Sequence, residues 1–549
     1  MNNTFKERVS GKDVEFSTTG SGLKGERKEL RNLGADMLGE VFSYLPQKEL
    51  FEVLVVSKNW KKAVMEGSGL WRKVDVCRKW NLGGEGRDMR ENEILRRVIG
   101  FAEDVSFSKT FRRDDEHAMS VGRWLAPNLR ILKMPFECVL PTFFPLLVSK
   151  CPLLESLVVE AGHRGTADSG TDPVHIRHPK LKSLKISSYL PLVLTGNCPA
   201  LTHLSALGEL NFTMRADSNT LYAPSLFCPG LKSLCLSRTQ CTKGVLEAVA
   251  AHAPNINSLE ASISEESPFT ALTHFKALRV LKIRQCIMGG AIPSNAFTSW
   301  PLLESLQLNL SGSANGIVVA HVGLKSLEIY DSSGAMSPVL SCVSLEHLKL
   351  YGEIFKARCL KNLDQFCPKL KTVEIGRYLS TDGIDEFGDE DEADGPLEIV
   401  HERMEELVLR KFSRSSVRVA CTNLKKLVMK WGHPVRPTVS ATLRFPTLEC
   451  PKLKSLELSA YDHMFRRVPG MLSVLPRLES LRCECAREDF KNVVLEHQNL
   501  RDIVVVMTRM RVRPAGSKLK LKRLILVMPS LVQVEVVESI ERVLVVKER

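Results

Sequence analysis

One short phrase constrains this chain more than any other: Cys450-Pro451-Lys452-Leu453-Lys454-Ser455-Leu456-Glu457-Leu458. It returns as Cys151-Pro152…Leu154-Glu155-Ser156-Leu157, as Cys228-Pro229…Leu231-Lys232-Ser233-Leu234 and as Trp300-Pro301…Leu303-Glu304-Ser305-Leu306. Written P-x-L-x-x-L-x-L, the pattern or a degenerate form is anchored at Leu129, Leu154, Leu181, Leu201, Leu231, Ile256, Leu278, Leu303 and Leu324. It continues at Leu345, Leu370, Met404, Leu424, Leu453, Leu478, Leu500, Leu521 and Leu531, which makes eighteen copies. Most intervals lie between 20 and 30 residues; a gap of 34 follows Leu370 and one of 10 precedes the last copy. Proline stands two residues before the anchor in eleven copies, a regularity that unrelated apolar strands would not share.

The spacing has a physical reason. An L-x-L core alternates with period two, so its leucines share one face of a short strand and the residue between them points the other way. One such unit cannot bury its leucines alone. Stacked units join them into a continuous core beneath a parallel sheet, and the interval is that of a leucine-rich repeat. The expected fold class is therefore α/β, a leucine-rich-repeat solenoid over residues 126–549 with the parallel sheet on the concave face of a horseshoe. With strands ~4.8 Å apart, eighteen of them predict an arc on the order of 80 Å, long enough to hold a protein domain or an extended peptide. The residues between the leucines should line that face. Lys282, Gln307, Glu328, Lys349, Val408, Val428, Glu457 and Arg482 are the candidate target-binding set, with the apolar stretch from Val408 to Val428 the expected hot spot.

Charge and cysteine usage bound the function classes. The formal net charge of +13 is spread along the chain, and no nucleic-acid-binding motif accompanies it, so a solvated basic surface is expected and nucleic acid is not. The polar stretch Met1–Ser10 lacks the apolar core of a secretory signal, and no apolar run is long enough for a membrane span. The cytoplasm, the nucleus or both are the expected compartments. Of the fifteen cysteines, Cys151, Cys198, Cys228, Cys342, Cys367, Cys421 and Cys450 fall three residues before an anchor, a half-buried site that suits a small reduced thiol. Cys483 and Cys485 form a lone C-x-C, a weak metal signal.

Ahead of the array, residues 1–30 are polar and read as a disordered tail, and residues 31–71 as a small helical domain. In Asp36-Met37-Leu38-Gly39-Glu40-Val41-Phe42-Ser43-Tyr44-Leu45 the apolar positions 38, 41, 42 and 45 form one helical stripe, with Asp36 as its N-cap and Pro46 as its stop. Lys48–Val56 predicts a second helix, and Ser57 caps a third that carries Trp60, Ala63 and Val64. So small a domain is marginal alone and should dock on something. The run Leu33-Gly34-Ala35-Asp36-Met37-Leu38…Val41-Phe42-Ser43-Tyr44-Leu45-Pro46…Leu50…Val56-Ser57-Lys58-Asn59-Trp60…Leu70-Trp71 resembles an F-box, departing from that pattern at Gly34 and Ser57. Residues 72–125 read as a linker with degenerate leading repeats at 70–76 and 101–107 and a helix over 91–99. Within the array, 242–251 predicts a helix, and the acidic run near 379–396 a disordered insert. The basic stretch 507–523 reads as a loop, with an anionic-ligand site as the alternative.

No phosphate-binding, nucleophile-elbow or zinc-helix motif is present; His401-Glu402 lacks the second histidine of a zinc helix. The chain is expected to be non-catalytic, without a metal or other cofactor. What the F-box resemblance implies is a substrate receptor of a Skp–cullin–F-box (SCF) ubiquitin ligase. A Skp-type adaptor would bind Leu33, Leu38, Val41, Phe42, Leu45, Pro46, Leu50, Val56 and Trp60, a cullin would join through it, and the repeats would hold a target protein. The architecture also resembles plant hormone receptors, which would imply a small ligand and an inositol phosphate. The rival reading is a leucine-rich scaffold, or a small-ligand receptor, whose helices only cap the solenoid.

Overall fold

The computed structural model describes residues 6–9, 12–15, 35–45, 49–50, 53, 57–66, 68–76, 98–107, 125–135, 147, 149–160, 178–187, 198–206, 230–241, 243–263, 268–287, 297–311, 317–336, 338–355, 360, 362–377, 397–412, 417–431, 446–460, 471–485, 493–495, 499–506, 512–514, 523–528 and 543–547. Two compact units divide the chain, Met1–Leu201 and Thr202–Arg549, and each is taken by itself.

In the first unit, helix Ala35–Phe42 and helix Lys58–Glu66 pack together, and Glu49, Leu50 and Val53 are helical between them. Leu38, Phe42, Leu50, Val53, Ala63 and Val64 are buried, and the Phe42 and Trp60 rings meet edge to face, 5.3 Å apart at 63°. The Ser57 Oγ accepts the Trp60 N–H at 3.1 Å, which is the expected cap of the third helix. Asp36 is not the cap of the first, because that helix starts one residue earlier, at Ala35. Pro46 lies outside the described residues. A 3-10 turn, Ser68–Trp71, then buries Trp71, whose Nε1 donates to the Val64 carbonyl at 2.5 Å.

From there five parallel strands run in order: Lys73–Val76, Asp104–Phe107, Ile131–Pro135, Ser156–Glu160 and Ser183–Ile186. The first two are the degenerate repeats expected at 70–76 and 101–107, paired Lys73 to Asp104 and Val76 to Phe107. Of the helix expected over 91–99, residues 98–101 are helical and the remainder lies outside the described residues. Of the stretch 1–30 expected to be a disordered tail, Lys6–Val9 and Lys12–Glu15 pair antiparallel, and the remainder lies outside the described residues.

The second unit repeats one motif. Parallel strands follow from His203–Ala206 and Ser233–Gln240 through Ser305–Ser311, Ser326–Met336, His347–Phe355, Thr372–Arg377, Glu406–Phe412, Lys426–Trp431, Ser455–Ala460 and Ser480–Cys485 to Arg523–Met528 and Val543–Lys547. The helix expected over 242–251 is Lys243–His252. The last ladder strand is Val543–Lys547, whereas the anchors Leu521 and Leu531 and the acidic run near 379–396 lie outside the described residues. Of the basic stretch 507–523, Val512–Pro514 is a short strand and Arg523 opens the next ladder strand.

Every described anchor from Leu129 to Leu500 is at most 3 % exposed. Burial of each such leucine is worth about 2 kcal/mol, and the period-two pattern is visible in Ser305–Ser311, where buried Leu306, Leu308 and Leu310 alternate with half-exposed residues. At the site three residues before the anchor, buried thiols of Cys342, Cys421 and Cys450 approach the Val319, Ile399 and Val419 carbonyls. Histidine takes that place at His178, His321 and His401. Each ring Nε2 lies 3.0, 2.9 or 3.2 Å from the carbonyl of the preceding copy (Cys151, Trp300, Cys367). Each Nδ1 accepts a backbone N–H two residues on, from Lys180, Gly323 or Arg403. An accepting Nδ1 leaves the proton on Nε2, from which it is donated to the carbonyl.

At the start of the strands the next feature was not anticipated. Charges alternate from copy to copy: Arg72–Glu103 at 3.1 Å, Arg130–Glu155 at 3.5 Å and Lys182–Glu155 at 2.9 Å in the first unit. In the second, Glu304 takes Arg279 at 2.6 Å and Lys325 at 3.1 Å, and Glu346–Lys371, Glu405–Lys425 and Glu479–Lys454 follow. The lysine hydrogen bonds hold these carboxyls below the usual carboxylate range. Exposed pairs of this kind add little individually; their alternation penalises a slipped stacking that would oppose like charges.

Candidate functional site

The sheet face opposite the leucines (the open face) carries the residues between them. In the second unit Lys282, Gln307, Glu328, Lys349, Glu374, Val408, Val428, Glu457 and Arg482 are successive Cα partners in one row. At ~4.8 Å per strand that row is about 40 Å long. All eight candidate residues are thus brought together, as the spacing required.

Their environments differ from expectation in one respect. Val408 and Val428 are buried, 8 % and 5 % exposed, so they present no open apolar hot spot. Diagonal ion pairs flank them: Arg410 Nε reaches Glu374 Oε1 at 2.5 Å on one side, and Lys430 Nζ reaches Glu457 Oε1 at 2.9 Å on the other. The long stems of such residues cover apolar neighbours. Glu457 also takes Arg482 at 3.6 Å, and Glu328 takes Lys349 at 3.6 Å.

A second row, two residues further along the strands, runs Asn309, Tyr330, Tyr351, Gly376, Arg410, Lys430. The Tyr330 and Tyr351 rings stack, centroids 4.8 Å apart and planes 3° from parallel. Sequence reading missed this pair, although L-x-I-Y at 327–330 and L-x-L-Y at 348–351 put tyrosine at one repeat position in consecutive copies.

Catalytic chemistry finds little purchase among the thiols. Burial pushes Cys151, Cys241 and Cys421 up to about 12 and Cys342 to about 11, so they are not nucleophiles at neutral pH. Among the described residues no group of three or more histidine, cysteine or acidic side chains is placed to hold a metal, and no helix is long and apolar enough to cross a membrane.

The other candidate surface is on the helices of the first unit. Their buried side holds Leu38, Phe42 and Leu50, while Met37, Val41 and Tyr44 stand 58 %, 51 % and 81 % exposed. Residues 35–77 match the F-box-like family model. This part of the chain is an F-box-like region. Within it, the expected adaptor set splits. Leu38, Phe42 and Leu50 are buried in the core between the helices. Leu45 and Trp60 are half-buried and Val41 is exposed, while Leu33, Pro46 and Val56 lie outside the described residues. Met37 and Tyr44 join Val41 on the exposed side and were not in the expected set.

The solenoid that follows is similar to solved structures of the leucine-rich-repeat type. A TLR13–ssRNA13 complex matches at 13 % identity over 78 % of this chain and 77 % of that one, with a TM-score of 0.29. The yeast Rad7 and Elc1 complex matches at 16 % over 68 % and 97 %, TM-score 0.31. The Drosophila Toll–Spatzle complex matches at 14 % over 81 % and 58 %, TM-score 0.34. These similarities are of fold alone. No curated protein sequence matches the chain.

Proposed function

We propose that this chain is the substrate-recognition subunit of an SCF-type ubiquitin ligase. In this reading the F-box-like region binds a Skp-type adaptor, which joins it to a cullin, and the open face of the repeats holds a target protein for ubiquitination and proteasomal degradation. The chain needs no catalytic group or cofactor of its own, and it works in the cytoplasm or nucleus. It acts by proximity, raising the effective concentration of the target near a conjugating enzyme charged with ubiquitin.

The observation that carries this reading is the F-box-like match together with an apolar patch, Met37, Val41 and Tyr44, left exposed by helices whose core is already filled. A second reading has its own support: the Trp71 bond to Val64 ties helix Lys58–Glu66 to the turn that leads into the first ladder strand, as a solenoid cap would be tied. A cap, however, has no use for the exposed patch.

The test is capture from cells with the proteasome blocked, using the full chain and Val41→Arg. The wild-type chain should retain a Skp-type adaptor, a cullin and ubiquitinated target, and Val41→Arg should lose all but unmodified target. If Val41→Arg changes neither the adaptor nor the ubiquitination, the helices are a cap and the receptor reading fails.

A further inference from the structure

The charges of the open face answer one another. Glu260 holds Arg284, Glu328 holds Lys349 and the Tyr330 hydroxyl, and Glu374 holds Arg410 and the Tyr351 hydroxyl. The edge where the strands begin is different. There the residue before each buried anchor and the residue after it form two rows. The row after the anchor is the alternating one: Glu346 takes Lys371, Glu405 takes Lys425 and Glu479 takes Lys454, so its carboxylates are already paired.

The row before the anchor changes character along the second unit. It is uncharged through Gly230, Asn255, Ala277, Leu302, Gly323 and Ser344, and then reads Lys369, Arg403, Asn423, Lys452, Arg477 and Asn499. The strands that follow these last six residues are consecutive partners in the ladder. Lys369, Arg403, Lys452 and Arg477 are exposed, and none of the four makes an ion pair among the described residues. Asn423 ties the row together: its Nδ2 donates to the Glu402 carbonyl at 2.7 Å, and its Oδ1 accepts from Lys452 Nζ at 2.7 Å. That bond orients the ammonium and leaves its charge uncompensated. In the flanking row, two residues before the anchor, Pro368, Thr422, Pro451 and Pro476 leave Glu402 as the one charge.

The spacing selects among anionic partners. At ~4.8 Å per strand the four cations stand at about 0, 5, 14 and 19 Å, with Asn423 in the gap. An extended peptide with an acid at every second residue presents carboxylates on one side at about 0, 7, 14 and 20 Å. The two series agree to within about 2 Å, which long lysine and arginine arms absorb. Neither row carries an aromatic residue on which bases could stack, so a single-stranded nucleic acid would gain only phosphate contacts there.

We propose that this edge, through Lys369, Arg403, Lys452 and Arg477, docks an extended acidic segment of a partner protein. The inference goes beyond the receptor reading and does not rest on it.

The test measures, by fluorescence anisotropy at low ionic strength, the binding of a labelled dodecapeptide of alternating aspartate and serine to the full chain. Lys452→Gln with Arg477→Gln should weaken binding about fivefold. Lys232→Gln with Lys276→Gln removes the same charge from exposed positions in earlier copies and should change it by less than about twofold. Circular dichroism checks that both variants are folded. Equal weakening by the two pairs would reduce the contact to net charge and overturn the proposal, as would absence of binding by the folded chain. Binding that appears only after deletion of 382–394 would give the row to the chain's own acidic run. Tighter binding of an oligothymidylate of equal charge, lost in Lys452→Gln with Arg477→Gln, would give it to nucleic acid. Either result overturns the proposal. No adaptor is present, so failure here leaves the adaptor reading intact.

Discussion

Gly376→Ala should be destabilising in the wild-type chain and harmless once Tyr351 is gone. Gly376 lies in strand Thr372–Arg377 with a φ outside the left-handed region, so alanine meets no backbone strain there. The obstacle is steric. An added Cβ would stand 2.6 Å from Tyr351 Cδ1 and 2.7 Å from Cε1, where ordinary contact begins at 3.4 Å. The ring must retreat by about 0.8 Å, the difference between 3.4 and 2.6 Å, with Tyr330 stacked on it at a centroid distance of 4.8 Å. Swinging outward instead forfeits the stack, about 0.5–1.5 kcal/mol, and part of a charge-assisted hydrogen bond of about 1.5–3 kcal/mol. Because Tyr351 is half-exposed and regains water, a net cost of about 1–2 kcal/mol is expected. In a Tyr351→Ala background the clash is absent, and alanine in place of glycine should stabilise the strand by about 0.5 kcal/mol. A long repeat array need not unfold in two states, so the reading should be local: hydrogen exchange of residues 347–355 and 372–377. An equal cost of Gly376→Ala in both backgrounds would refute the packing argument.

Two other substitutions test the repeat spine and the helical region. His178 and His401 are held below the ordinary imidazole value, chiefly by burial. A depressed histidine contributes stability that is full above about pH 6.5 and lost as pH falls through its folded-state value. The melting temperature should therefore drop between pH 7.5 and 5, and His178→Cys with His401→Cys, which restore the residue used in neighbouring copies, should flatten that drop. An unchanged pH profile would count against the buried neutral rings. Ser57→Ala removes the cap of helix Lys58–Glu66 and should cost that helix about 1 kcal/mol in local exchange protection, with the ladder strands of the second unit unaffected.

What the sequence made legible follows from period two. Leu306 and Leu308 had to share a face, Gln307 had to take the other, and parallel stacking then aligned Gln307 with Lys282 and Glu328. Burial on the open face was harder to read. Val408 and Val428 looked like an exposed apolar patch, because spacing says which way a residue points and nothing about the arms of Arg410 and Lys430 beside it. The helical stripe divides for a related reason. In so small a region its Leu38 and Phe42 are needed for the core, whereas Val41 of the same stripe stands exposed with Met37 and Tyr44. The alternating charges after the anchors, Arg279, Glu304, Lys325, Glu346 and Lys371, were present in the sequence, but their alternation becomes visible only when copies are aligned on the anchor.

The most direct test of the receptor account is the binding isotherm of a purified Skp-type adaptor with the purified full-length chain. Three forms should be compared: wild type, Val41→Arg on the exposed side and Leu38→Arg in the core. The account expects saturable one-to-one binding by the wild type. Val41→Arg should abolish binding while its circular dichroism is retained, since the exposed patch is the contact. Leu38→Arg should lose both binding and helical signal, because a charge in that core lacks a partner. Absence of binding by a folded wild-type chain, or Val41→Arg binding as tightly as wild type, would contradict the account and leave the helices as a cap.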